Sequence, residues 1–438
     1  MNSLKNVYQD LKNETLQNKA FPFLLLMLLV LPLGHAVNSF AVALFILAAI
    51  LSSKKSEIKL ESVFILPIFL YLLMALSLSW SLNTSDTLKA LGKVVPIALI
   101  PIAFIIMPTF AESSKQKFLK YYSYGISISS FLLLAKAVIR YFIFGNSDVF
   151  FYHELVTKEV NAIHVSVFVA MAFFYFLKIK SKLWIDRICM LILVIFILLL
   201  SSKNIIVVFI MLTVAFELCN FFRNKRKSYI LLLLIPVGFS VLFFTTNISD
   251  RFLIEFQSNE KSGTINQDIG EGHVRNVSVA EAWNTEKFSN SQYFPGTAFR
   301  VYQVRIFCEL LQQEPLFFTG YGLNATDSKI LAKAKEHTVF MGNETHEGYH
   351  DKNFHNQYVQ FFAELGIIGF LLIVAMLGIN LYNGLYRKDF VHICFAVIMI
   401  SLFLTESFLA RQRGVLFFTA FYCVFNSGLL RQKSPNLQ

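Results

Sequence analysis

The sequence predicts an all-α, polytopic integral membrane protein with about twelve transmembrane helices and one large helical loop. Its 438 residues are 55% hydrophobic, and the mean hydropathy is +0.57. The apolar residues form unbroken runs near membrane-spanning length, about 17–25 residues. Basic residues follow every second run. These observations together favour a membrane bundle over a soluble core.

Twelve apolar runs define the expected helices, because lipid offers no water to satisfy the backbone of any open structure. They lie near 21–35, 37–52, 62–82, 91–110, 121–144, 161–177, 183–201, 204–222, 229–245, 355–383, 389–406 and 412–430.

Orientation follows from the basic residues, which accumulate in cytoplasmic loops. Lysine or arginine follows each even-numbered run, as at Lys115 and Lys178. Both termini are therefore expected in the cytoplasm, and the long loop in the periplasm of a bacterial inner membrane. The expected parts are a cytoplasmic tail (1–20), an N-terminal membrane domain of about nine helices (21–245), a periplasmic loop domain (246–354), C-terminal membrane helices (355–430) and a cytoplasmic tail (431–438).

Composition excludes several alternatives. The net charge of +11 is interpreted as cytoplasmic loop charge, not as a nucleic-acid surface. Of the five cysteines only Cys308 lies in the long loop, so we expect no disulfide there. The first twenty residues do not resemble a cleaved signal peptide.

Within the long loop, residues 299–314 have helical spacing and precede Pro315. Gly320 and Gly322 allow a tight turn, and 325–337 is a second expected helix. The loop is thus predicted to be a small domain.

Several cations lie at the ends that this topology places outside, where the positive-inside rule disfavours them. Those retained as candidates are Lys93, Arg140, Lys203, Arg300, Arg305 and Arg411, with His355 at the entry of the tenth helix. Ionisable groups at membrane depth indicate function, and such cations suit a diphosphate at headgroup level. The competing interpretation is that some of them only extend to lipid phosphates.

The sequence FHNQYVQFFAELGIIGF places His355-Asn356 nine residues before Gly366, with Gly369 following, where a soluble loop enters a membrane helix. This pattern resembles the signature of the O-antigen ligase and O-antigen polymerase family. The loop segment RVYQVRIFCELLQQEPLFFTGYG resembles the family's loop helix, with Arg300 at the leading arginine. The closing segment TESFLARQRG is also similar, and the resemblance spans about residues 60–430. The family's usual Ser-Arg is Ser-Lys here, at Lys203.

The resemblance implies glycosyl transfer from a polyprenyl-diphosphate-linked glycan to an acceptor hydroxyl, without metal or cofactor. In the ligase branch the acceptor is lipid A-core. The catalytic candidates are His355, as general base or acceptor-positioning residue, and Arg300. The diphosphate would be held by Arg300 and Lys203, with Arg305, Lys93, Arg140 and Arg411 as further substrate-binding candidates. Asn356 would orient the imidazole, and Gly366 and Gly369 would let a neighbouring helix approach closely.

Four alternatives stay open. An O-antigen polymerase shares the same motifs. A secondary transporter is disfavoured by the lack of an evident repeat and by charges at one face, and a scaffold would need no outward cations. A zinc protease is suggested by His346-Glu347-Gly348-Tyr349-His350, which fits H-E-x-x-H. That motif requires a helix, whereas Gly348 and the polar flanks favour a loop.

Overall fold

The computed structural model describes residues 2–53, 58, 60–157, 160–180, 182–224, 275–344 and 347–428. Up to residue 224 the helices are α1 (Asn2–Gln17), α2 (Phe21–Leu29), α3 (His35–Ser52), α4 (Ser62–Leu76), α5 (Thr84–Val94), α6 (Pro96–Ile106), α7 (Glu112–Phe144), α8 (Tyr152–Leu155), α9 (Ala162–Lys178), α10 (Trp184–Leu200) and α11 (Lys203–Asn224). From residue 275 they are α12 (Val279–Asn284), α13 (Gly296–Gln313), α14 (Asp327–Glu336), α15 (Gln357–Arg387), α16 (Phe390–Phe403) and α17 (Gln412–Asn426).

The helices follow the apolar pattern of the sequence. Each predicted run falls on a helix except 229–245, which lies outside the described residues. Six of the described helical stretches are long and apolar enough to cross a membrane. The prediction of an all-helical membrane protein is confirmed, while the number of twelve spans stays a prediction.

The loop forms a unit with its own apolar core. Helix α13 confirms the helix predicted at 299–314, and α14 confirms the one predicted at 325–337. Two short parallel strands, β1 (Arg275–Asn276) and β2 (Gln292–Tyr293), precede α13. Aromatic side chains such as Tyr302 and Phe354 fill a hydrophobic cluster distinct from that of the membrane helices. The predicted start of the domain at 246 lies outside the described residues.

The loop is wedged into α15 where that helix is kinked. Gly366 has φ +66°, and a Cβ there would lie 2.2 Å from the Phe318 carbonyl oxygen. The freed carbonyls of Ala363 and Glu364 accept 2.8 Å hydrogen bonds from the N–H groups of Tyr321 and Gly322. Gly366 therefore admits a loop segment, not the neighbouring helix expected from the sequence.

Helices α9 and α16 both run from one polar end of the bundle to the other. At one end the Lys178 ammonium, where α9 finishes, lies 3.0 Å from the carboxylate of Asp389, the N-cap of α16. At the other end the His164 ring, in the first turn of α9, packs 4.4 Å from the Phe408 ring just beyond α16. The candidate site lies at this second end.

Candidate active site

The site is built on the three residues Leu404 to Glu406, which follow the last turn of α16. Asn356 donates its amide N–H to the Leu404 carbonyl at 3.3 Å. The His355 Nδ1 atom lies 3.6 Å from a carboxylate oxygen of Glu406. The loop entry of α15 is thus fixed against this segment through two consecutive side chains.

Two further elements bind the residue between them, Thr405. From the loop helix α13, Arg300 donates its Nε–H to the Thr405 carbonyl at 2.7 Å and an Nη1–H to the Gly296 carbonyl at 3.0 Å. From the first turn of α11, Asn204 donates to the Thr405 hydroxyl oxygen at 2.6 Å and to the Ser401 carbonyl at 2.9 Å. A helix of the loop and a membrane helix therefore meet at Thr405, one on its backbone and the other on its side chain.

The backbone of His355 is held in an uncommon conformation. Its φ is +46°, a value that few residues other than glycine adopt. Its N–H donates to the Asn353 carboxamide oxygen at 3.0 Å, and its ring packs edge-on against Phe299 with centroids 5.7 Å apart. Such strain persists only where the surroundings impose it, and it concentrates at functional sites.

Glu406 is a buried carboxylate beside two basic side chains. Burial raises its pKa, but the His355 side chain and the Arg300 guanidinium lower it below the ordinary value for glutamate. A charged acid beside Nδ1 can select the tautomer of an imidazole and stabilise its protonated form. The arrangement suits proton transfer at Nε2.

Asn356 serves mainly as a helix cap. Its side-chain oxygen accepts hydrogen bonds from the N–H groups of Tyr358 and Val359 at 3.0 and 3.1 Å, and its amide reaches Leu404. These contacts fix the direction of α15 and so place the preceding histidine. The imidazole itself is paired with Glu406, so Asn356 acts on it through the backbone.

Lys203 is the first residue of α11, directly before the anchored Asn204. Its side chain is half-buried and engaged in an interaction of its own. The structure thus brings Lys203 to the same end of the bundle as His355 and Arg300. A helix N-terminus also favours bound anions.

Arg305 lies on a different face of α13. Five residues of helix turn it roughly 140° away from Arg300. Its guanidinium contacts the Glu309 carboxylate at 2.7 Å and the carbonyls of Ala282 and Thr285 at 3.4 and 2.6 Å. It therefore supports the loop unit, and the structure does not bring it to residues 404–406.

The three remaining cations lie at three separate places. Arg140 bonds the backbone and carboxylate of Glu154, at 2.6 and 2.5 Å. Lys93 is exposed and borders a cleft between α5 and α15. Arg411 is exposed just before α17, close enough to lower the pKa of Glu347 together with Lys352, which is the larger cause.

The H-E-x-x-H segment is not helical where it is described. Glu347 forms an isolated antiparallel bridge with Gly342 and pairs with Lys352. Residues 349–351 form a 3₁₀ turn in which His350 contacts Asp351 at 3.0 Å, and His346 lies outside the described residues. The helical geometry that a zinc protease needs is missing from 347–351.

One group in the described chain has ligand atoms close enough for a metal ion. Atoms of Glu309, Glu336 and His337 lie within 4.8 Å of one another. Lys333 contacts both carboxylates, at 3.1 and 2.8 Å, and Arg305 contacts Glu309. These cations already neutralise the acids, so the group is an ion-pair network in the loop core.

Glu406 and Asn204 are the functional candidates that sequence reasoning missed. A signal was present, because Glu406 is an acid inside an otherwise apolar stretch that ends at Leu409. An isolated carboxylate there requires a partner. Its partner, His355, lies 51 positions earlier, and only the fold brings the two together.

Residues 188–374 match the family model described as O-Antigen ligase. The matched range contains Lys203, Arg300 and His355 and ends before Glu406. The resemblance seen in the sequence is confirmed over these residues, while the wider span of about 60–430 stays a prediction. With the apolar helices it supports a multi-pass membrane glycosyltransferase of the O-antigen ligase or polymerase type. No curated protein matches the chain.

Proposed function

We propose that this protein is an O-antigen ligase, which moves a glycan from a polyprenyl-diphosphate carrier to a hydroxyl of lipid A-core without a metal ion. The observation that carries the proposal is the convergence of His355, Glu406 and Arg300 on residues 404–406. A base with an anionic partner and a neighbouring cation are what this reaction needs.

In the proposed step, the acceptor oxygen bonds to the anomeric carbon as the carbon–oxygen bond to the diphosphate breaks. The bonding electrons leave with the diphosphate, and the acceptor proton moves to Nε2 of His355. Glu406 stabilises the resulting imidazolium through Nδ1, 3.6 Å away. The acid positions the histidine and does not touch the substrate.

Arg300 and Lys203 hold the diphosphate in this proposal. Two of the five guanidinium N–H groups of Arg300 bind backbone carbonyls, so its orientation is fixed while other donors can serve a phosphate. Lys203 adds a point charge at the start of α11. Both cations would bind the donor and also stabilise the departing diphosphate.

The proposed orientation puts both termini in the cytoplasm of a bacterial inner membrane and the loop in the periplasm. It rests on the basic residues at even-numbered exits. Two of these, Lys115 and Lys178, meet at Asp389, at the opposite end of α9 and α16 from the site. The site would then face the lipid-linked substrates on the outer side.

The test is transfer of lipid-linked glycan to lipid A-core by membranes containing His355→Ala. We expect a loss of about a thousandfold, because general-base catalysis contributes roughly 10²–10⁴. Binding of the donor should persist. His350→Ala is the matched control, since it removes a loop histidine whose partner is Asp351.

Three results would contradict the proposal. One is a well-expressed His355→Ala variant with the wild-type rate. Another is activity lost to a chelator together with loss in His350→Ala, which would revive a metal site at the H-E-x-x-H segment. The third is extension of a lipid-linked repeat with no transfer to lipid A-core, which would identify a polymerase.

A further inference from the structure

A second polar region lies beside the proposed active site, on another face of α15. Gln357, Gln360 and Glu364 are spaced so that they share one side of this helix, and they are 0%, 4% and 3% exposed. They line a cleft whose other walls include Ala90 and Lys93 of α5. Buried polar groups in a candidate membrane span are costly and usually functional.

Among Gln357, Gln360 and Glu364, one buried polar atom lacks a hydrogen-bond partner in the described part of the chain. The Gln357 carboxamide oxygen accepts from the Leu409 N–H at 2.7 Å, and the Gln360 amide donates to Glu364 at 2.6 Å. The Gln357 Nε2 group, although buried, has no hydrogen-bond partner among the described residues. Because buried donors are nearly always satisfied, this amide is a candidate for bonding a ligand.

The size of the cleft and its hydrogen-bonding groups limit what that ligand can be. Its cavity volume is about 30 Å³, room for roughly two water-sized groups. A hydroxyl can accept a hydrogen bond from the Gln357 amide and donate one to the Glu364 carboxylate. The phosphate oxygens of a diphosphate ester can only accept, so they match the Gln357 amide but cannot also donate as a hydroxyl does.

We propose that the cleft between α5 and α15 is a saccharide subsite, in which Gln357 and Glu364 bind hydroxyl groups at the edge of one sugar. The subsite deepens the proposed transferase function and rests on it for the source of that sugar. Gln357 follows His355 by two residues, and its partner Leu409 follows Glu406 by three, so the cleft adjoins the proposed active site. The sugar belongs either to the donor or to the acceptor glycan.

The first measurement is the kinetics of Gln357→Glu in membranes. This change keeps an oxygen for the Leu409 N–H and removes the unpaired donor. We expect KM to rise about tenfold for one substrate while kcat changes less than about twofold, since one hydrogen bond is lost. A rise in the donor titration assigns the sugar to the donor, and a rise in the acceptor titration assigns it to the acceptor. Unchanged KM values in both titrations overturn the subsite.

The second measurement does not depend on transfer. Free oligosaccharide, released from the host's own surface glycan, should raise the thermal midpoint of the purified wild-type protein and not that of Gln357→Glu. The matched control is Gln116→Glu, at the start of α7, where the amide contacts only Glu112 at 3.0 Å. Protection of all three proteins alike, or of none, contradicts the proposal.

A third variant guards against misfolding of Gln357→Glu. Ala90→Val narrows the cleft from the α5 side and leaves the hydrogen bonds of α15 in place. It should abolish the oligosaccharide shift, and a shift of wild-type size overturns the subsite. The two proposals separate cleanly: Gln357-dependent protection without transfer refutes the ligase alone, and transfer with no dependence on Gln357 refutes the subsite alone.

Discussion

At the end of the bundle that contains Asp389, buried charges are paired with each other. Lys178 and Lys115 lie 3.0 and 3.8 Å from the Asp389 carboxylate. Lys117 likewise lies 2.7 Å from Glu14 of α1. Each of these three lysines has a carboxylate partner, whereas Arg387 at the same end bonds the Phe425 carbonyl at 3.2 Å.

At the end that contains Glu406, two arginines are held differently, by backbone carbonyls. Arg300 bonds the carbonyls of Thr405 and Gly296, and Arg413 bonds those of Leu31 and Leu33 at 3.0 and 2.6 Å. A carbonyl oxygen fixes a guanidinium without cancelling its charge. Arg300 therefore keeps its charge and further N–H groups beside Glu406, whereas the lysines near Asp389 spend theirs on carboxylates.

The contrast predicts that the same kind of substitution has different consequences at the two ends. Near Asp389 a lost charge should change the stability of the fold. Near Glu406 it should change the rate of transfer. The following variants test this difference from the largest expected effect to the smallest.

Arg300→Ala should lower kcat/KM for transfer by about a thousandfold, because removing one donor to a developing anion costs roughly 10²–10³ and donor binding weakens as well. Arg305→Ala is the matched control on the same helix. Its partners are Glu309 and two loop carbonyls, so it should lower the thermal midpoint and spare the rate of the folded protein. If both variants fold well and lose the same fraction of the transfer rate, Arg300 and Arg305 do not differ in function.

Much of this architecture could be predicted from sequence because its causes are local. Runs of apolar residues give helices wherever lipid excludes water, and α13 and α14 follow from spacing and from Pro315. The family resemblance supplied His355 and Arg300, which the structure places within one site. Lys203 lies at the same end of the bundle.

The rest could not be predicted because it depends on contacts distant in sequence. Glu406 gains its meaning from His355, and the direction of Arg305 depends on the rotation of α13. Gly366 was assigned to helix packing, whereas the inserted loop at Phe318 explains it. In each case the residue type indicates that the position matters, but its contact partner is distant in the sequence and cannot be identified from it.

Glu406→Gln should lower kcat by about a hundredfold with little change in donor binding. It removes the anion beside Nδ1 while keeping the size of the side chain, and general-base efficiency depends on that orientation and charge. Because the pKa of Glu406 lies below the ordinary value, its charge should support transfer throughout neutral pH. Rates equal to wild type with a saturating donor would show that the pair is only structural.

Asp389→Asn makes the same change at the opposite end. It should lower the free energy of unfolding by about 2 kcal/mol, since Lys178 loses its partner while Lys115 keeps Glu112 at 2.9 Å, and leave the rate per folded molecule unchanged. Burial raises the pKa of Asp389, but Lys178 and Lys115 lower it below the ordinary value. The stability that the Asp389 charge contributes is therefore complete above about pH 3.9, the pKa of an unfolded aspartate. It is lost as the pH falls through the lower pKa of Asp389 in the folded protein. Thermal unfolding of wild type and variant across pH 3–8 should show the difference shrinking only at the acid end.

Lys203→Arg should change transfer by less than about threefold. The family resemblance puts an arginine at this position, and a guanidinium keeps the charge while adding a fork suited to phosphate oxygens. Lys203→Ala should instead raise the donor KM by about tenfold, because a charge-assisted hydrogen bond is lost.

Asn204→Ala is the control for a purely structural role, since Asn204 anchors the start of α11 to Ser401 and Thr405. If Lys203 acts only by capping the helix, Lys203→Ala and Asn204→Ala will both lower the thermal midpoint and leave the donor KM unchanged. If it holds the diphosphate, the alanine variant will weaken donor binding at an unchanged midpoint, and the arginine variant will restore it.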